Sequence, residues 1–187
     1  MLRKLQVLVC LICATNAIAQ NINFTPSKTT QKQDDTKIDY KQMGAPMPSL
    51  VFIPYYDSNT KQTDRKQFMT NGDFDNGANL FIMMFNPTCS HCQDETMMME
   101  KNGSLFIRSK VVLLANNVMK PYLSDFVTLT HVDQYPFMYL GIDSTDFINN
   151  LFLYQQLPQL NIYNCARKLI KTYSGEVAID SLKKYIQ

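Results

Sequence analysis

The strongest apolar segment of the chain is Leu80-Phe81-Ile82-Met83-Met84-Phe85, which does not alternate and is bounded by Asn79 and by Asn86-Pro87. A run of this kind predicts a strand buried on both faces. Val111 to Ala115 is a second such run. The segment between them, from about Cys89 to Lys101, predicts a helix that stops at Asn102-Gly103, residue types that tolerate a left-handed conformation. Buried strand, helix, buried strand is a parallel βαβ unit. Further on, Pro121 to Thr130 predicts a helix, Phe137 to Ile142 a strand, and Ser144 to Leu151 a helix with Ser144 near its cap. Leu160 to Tyr163 and Leu169 to Tyr173 predict an antiparallel pair joined by Asn164 to Lys168. Ile179, Leu182, Tyr185 and Ile186 mark the buried face of a final helix. Upstream, Gly44-Ala45-Pro46-Met47-Pro48 reads as extended punctuation before a short strand, Leu50 to Ile53, and Thr60 to Asn71 as a polar loop or weak helix. The pattern predicts an α/β fold with a mixed sheet, starting near Ile38.

The first 37 residues follow a different logic. Arg3 and Lys4 precede an apolar stretch of about ten residues, Leu5 to Ala14, which is too short to span a bilayer and suits a signal-peptide core. Ala17-Ile18-Ala19 supplies a small-x-small cleavage pattern, with Gln20 as the expected first mature residue. Val9 and Ile12 precede Cys10 and Cys13 where a lipoprotein signal wants a small residue, so no lipid anchor is expected. Residues 20–37 are polar and read as a flexible linker, which leaves 38–187 as the domain. The domain organisation expected is thus a signal peptide over 1–19, a linker over 20–37 and one folded unit.

Composition and charge then narrow the function. At 187 residues and 45% hydrophobic, the chain can bury one ordinary core. Its formal charge of +2 comes from 18 Lys+Arg against 16 Asp+Glu, and loss of Arg3 and Lys4 with the signal brings the mature balance to zero. A broad basic face for nucleic acid is therefore excluded as the default. No apolar run reaches the roughly 20 residues of a membrane span. The expected location is outside the cytoplasm, periplasmic or secreted, with no stable membrane anchor after cleavage.

Removal of the signal leaves three cysteines, Cys89, Cys92 and Cys165. An odd number argues against a disulfide-stapled scaffold. The chemistry concentrates at Cys89-Ser90-His91-Cys92, where two cysteines three apart are compatible with a disulfide across the first turn of a helix. Free backbone N–H groups and the helix dipole stabilise a thiolate there. Cys89, the outer residue, is placed to attack, and Cys92, one turn in, to resolve the mixed disulfide. An imidazolium at His91 would favour the thiolate further. Rival chemistries fit less well. Zinc needs four ligands and only Cys165 and His131 remain to help. Covalent haem needs a His after the second Cys, where Gln93 stands. A peroxidatic cysteine lacks its Pro and Thr. Methionines 83, 84 and 97–99 suggest copper, but in strands and helices they more often fill core gaps. An inert structural disulfide remains open beside the redox reading.

The buried strand, Asn86-Pro87-Thr88-Cys89-Ser90-His91-Cys92, the helix, and a later Leu157-Pro158 before a β-hairpin and terminal helix together resemble the thioredoxin fold. More narrowly they resemble the secreted TlpA-like and AhpC/TSA-type thioredoxin-like proteins of bacteria, over about residues 38 to 187. The resemblance implies a central mixed sheet flanked by helices and a thiol–disulfide oxidoreductase that needs no cofactor. Its partners would be protein thiols or disulfides and a redox partner protein. It further implies that Pro158 is the family's cis-proline, which faces the cysteine pair and leaves the backbone at Leu157 free to bind substrate. Gly44 to Pro48 matches the family's entry segment, and Glu95 the acid that some members use for proton transfer. Thr88, Met83 and Leu157 stand where the family commonly has Trp, Asp, and Thr or Val. A non-catalytic thioredoxin-like binding module is the alternative. Cys165, in the hairpin turn, is expected to be a spectator.

Overall fold

The computed structural model describes residues 38–56, 62–152 and 156–187. The expected signal peptide over 1–19 and linker over 20–37 lie outside the described residues. The described elements are β1 (Val51–Pro54), β2 (Met69–Thr70), β3 (Leu80–Phe85), α1 (Ser90–Lys101), β4 (Lys110–Asn116), α2 (Leu123–Thr130), β5 (Met138–Asp143), α3 (Phe147–Phe152), β6 (Gln159–Tyr163), β7 (Leu169–Ser174) and α4 (Ile179–Leu182). The strands form one sheet in the order β2-β1-β5-β4-β3-β6-β7. β3, β4 and β5 are parallel, and β1 and β6 flank them antiparallel. The sheet is mixed, as the pattern predicts.

Every residue of β3 is buried, which explains its lack of alternation. The two faces nevertheless separate by strand period. Phe81, Met83 and Phe85 join Val111, Leu113 and Ala115 in a core with Cys92 and Met99 of α1, Phe126 of α2 and Leu182 of α4. Leu80, Ile82 and Met84 point into the opposite core with Val112, Leu114, and Ile148 and Phe152 of α3. Met83, Met84 and Met99 are fully buried, so these methionines are packing residues.

Several boundaries differ from the expectation. The helix expected from Pro121 begins as a 3-10 segment over Asn117–Tyr122, with Asn116 capping the Val118 N–H at 3.0 Å, and turns α-helical only at Leu123. The helix expected from Ser144 starts at Phe147. Its first turn is capped by Asp143, whose Oδ2 accepts from the backbone of Ile148 (2.7 Å) and Asn149 (3.3 Å). Asp146 at φ 55° turns the chain between them, so the cap is Asp143 rather than Ser144. The polar segment before Asn71 contributes a 3-10 turn over Gln62–Asp64 and β2, and a second 3-10 turn follows over Asn71–Phe74. The final helix has one α-helical stretch, Ile179–Leu182, continued as 3-10 over Lys183–Tyr185. Gly141 on β5 is required by close approach: a Cβ there would lie 2.3 Å from the Phe52 ring and 2.6 Å from the Ile53 carbonyl oxygen of β1.

Candidate functional site

The site is assembled where β3 ends. Asn86 Oδ1 accepts from the Thr88 N–H (3.0 Å) and hydroxyl (2.9 Å), and the Asn86 carbonyl accepts from Cys89 N (3.1 Å). This local turn delivers Cys89 in extended geometry (φ −89°, ψ 120°) as the N-cap of α1. The helix therefore begins one residue later than expected, at Ser90, and Cys89 stands just outside it. The Cys89 carbonyl accepts from both Cys92 N and Gln93 N at 3.1 Å, which closes the first turn. Both cysteines are free thiols: Cys89 is half-buried and Cys92 fully buried.

The environments of the two thiols differ. Burial pushes Cys92 up to about 12, and the neighbouring Cys89 and Glu95 add to the rise while the Asn86 backbone N–H opposes it. One helical turn further, Glu95 is 3% exposed. Its Oε2 accepts from Val177 N at 2.9 Å, and its Oε1 is buried with no hydrogen-bond partner. Burial raises the Glu95 carboxyl to about 7, with the charge of Glu176 adding to the rise and the Val177 N–H opposing it. Glu95 is thus a buried acid beside a buried thiol, not a solvated helix residue.

His91 is largely exposed, and its Nδ1 is hydrogen-bonded to Oε1 of Glu176, in the connection between β7 and α4. The Leu157–Pro158 peptide bond is cis. Pro158 is buried and Leu157 partly so. The β3–β6 register pairs Met84 with Gln159, so continued by one residue it sets Pro158 against Phe85, the last residue of β3, at the end of the strands from which Cys89 follows. The Pro158 carbonyl accepts from Gly175 N at 2.8 Å. The residues 175–177 that reach these three groups carried no signal in the sequence: no motif or spacing singles out Glu176. Cys165 is exposed in the β6–β7 turn, next to Tyr163, which pairs with Leu80 at the opposite end of β3. His131 is exposed and ends α2 in a left-handed conformation, φ 56°. Among the described residues no three His, Cys, Asp or Glu side chains gather into a metal-holding group. No described helix is long and apolar enough to cross a membrane.

No family model matches the sequence, and no curated protein matches it. Solved structures do match in fold. A thiol:disulfide interchange protein DsbE from Chlorobium tepidum is 14% identical, with a TM-score of 0.56 over 77% of this chain and 94% of that one. A protein disulfide isomerase from Bacteroides thetaiotaomicron is 15% identical, with a TM-score of 0.60 over 79% and 89%. A secreted disulfide oxidoreductase of Mycobacterium tuberculosis is 12% identical, with a TM-score of 0.52 over 63% and 86%. At this identity the likeness is one of fold: the chain has a thioredoxin-like fold, the architecture on which these thiol–disulfide oxidoreductases are built.

Proposed function

We propose that the protein is a thiol–disulfide oxidoreductase that works outside the cytoplasm and exchanges disulfides with protein thiols through Cys89 and Cys92. The observation that carries this reading is the placement of two free thiols on one helix start, one accessible and one buried, with a buried carboxyl a turn away. A metal or inert structural pair has no use for that asymmetry. In the reducing direction, the Cys89 thiolate attacks one sulfur of a substrate disulfide, forming a mixed disulfide and releasing a substrate thiolate. Cys92 then gives its proton to Glu95 and attacks Cys89 Sγ. The second substrate thiolate leaves, and a Cys89–Cys92 disulfide forms. Substrate gains the two electrons that the cysteine pair loses, and the reverse sequence oxidises a dithiol. The backbone at Leu157, ahead of Pro158, offers a strand-like edge for substrate peptide.

The direct test is reduction of insulin or a labelled glutathione disulfide with dithiothreitol as the final donor. Turnover should vanish in Cys89→Ser, and Cys92→Ser should accumulate the mixed disulfide. Absence of exchange by the unaltered protein would leave a thioredoxin-like binding module instead. Export rests on the leader: N-terminal sequencing of exported protein should begin at Gln20 or within a residue or two.

A further inference from the structure

Three consecutive residues, Gly175, Glu176 and Val177, each engage a different part of the candidate site. Gly175 N donates to the Pro158 carbonyl at 2.8 Å. Glu176 Oε1 is hydrogen-bonded to His91 Nδ1. Val177 N donates to Glu95 Oε2 at 2.9 Å. The segment starts with Gly175 at φ +79°, a conformation that only glycine adopts without strain, and this turn sends the chain from β7 across the start of α1. Backbone contacts hold its two ends. Its middle is held by a single side-chain pair, and that pair is at the surface, where solvent and protons reach it.

We propose that Glu176 is a positioning residue: paired with His91, it holds residues 175–177 as a strap across the helix start and so keeps the Val177 N–H on Glu95. The inference rests on the redox reading for its consequence, because Glu95 matters only if a proton moves there. The physical logic is one of geometry. Among the described residues Glu95 has one hydrogen-bond partner, Val177, and that partner lies next to Glu176 in the chain. Loosening Glu176 therefore loosens the one donor that favours the Glu95 carboxylate. The charged and titratable groups facing Glu95 are Cys92 from its own helix and Glu176 from the strap. Facing His91 is Glu176. The residue between the two cysteines thus acts through a strap formed 84 positions later in the chain than Cys92, as counted to Glu176.

The test is amide hydrogen exchange of Val177, read together with the titration of the Glu95 carboxyl by carbon NMR, in the reduced protein and in Glu176→Gln, Glu176→Asp, His91→Gln and the His91→Gln/Glu176→Gln double variant. Glu176→Gln and His91→Gln should each speed Val177 exchange roughly two- to fivefold, the range an exposed pair supports. The double variant should do no more than either single, and Glu176→Asp should stay within about twofold of the parent, since it keeps the charge. In His91→Gln the Glu95 midpoint should rise, because the Val177 N–H that favours its carboxylate is held less firmly, and the pH profile of disulfide exchange should shift with it. Unchanged Val177 exchange and Glu95 titration in both single variants, or effects that simply add in the double, would overturn the strap. Amide exchange needs no turnover. Coupled amides in a protein without disulfide exchange would therefore uphold the strap and overturn the redox reading, whereas uncoupled amides in an active protein would do the opposite.

Discussion

Cys89 and Cys92 are three residues apart, yet their surroundings give them opposite characters. Cys92 is fully buried, with its proton held to about 12, while Cys89 stands at the open N-cap. A limiting alkylating agent at neutral pH, used on a Cys165→Ser background, should label Cys89 first. Mass spectrometry showing Cys92 as the first site would reverse the assigned roles. On the proposed redox reading, Glu95 is the base for Cys92. Its raised midpoint means that it is half ionised near pH 7, where it can both take a proton and return it. Glu95→Gln should slow resolution of the Cys89 mixed disulfide about tenfold or more at pH 8, in single-turnover quench experiments, with a smaller effect at pH 5.5. The cysteine motif was plain in the sequence because both its residue types and its spacing are local. Burial of Glu95 was not, since a polar residue on a helix gives no sign of what a later segment will lay over it.

Among the elements, those with uniform apolar runs were the most legible. β3, β4 and β5 are central strands whose burial is written into consecutive residues. Helix starts were misread where the capping side chain precedes an irregular turn. Asp143 ends β5, and its carboxylate reaches past Asp146 to the first free N–H groups of α3. Asp143→Ala should therefore destabilise the protein by about 1–2 kcal/mol in denaturant unfolding, whereas Ser144→Ala should leave it unchanged within about 0.5 kcal/mol. β2 escaped notice because two residues carry no period. Its partner β1 depends on Gly141, and Gly141→Ala should cost about 2–3 kcal/mol through collision with Phe52 and Ile53.

For the molecule as a whole, buried acids set how stability varies with pH. Glu95 and Glu100 are both buried, and both titrate near 7 against an ordinary value of 4.5. Their folded pKa lies above the unfolded one, so the folded state binds more protons between those values. The contribution of these two acids to stability then falls as pH rises from about 4.5 to about 7 and levels off above. For Glu100, desolvation is the leading cause, and one carboxyl oxygen has no hydrogen-bond partner. Glu100→Gln should accordingly gain about 1–2 kcal/mol relative to the parent at pH 8, a gain that shrinks towards pH 4.5, in urea unfolding followed by circular dichroism.

The sheet order puts β3, a strand from the middle of the chain, between β4 and β6, and β6 belongs to its last thirty residues. During synthesis, the dithiol helix therefore emerges long before the segments that complete its surroundings. Until residues 157–177 arrive, β3 has one unpaired edge, Cys92 lacks its full cover, and Glu95 has no N–H to accept. A chain that ends before Gln159 would thus be sticky along β3. Residues 157–177 thus complete two things at once, the pairing of β3 and the one hydrogen bond described for Glu95.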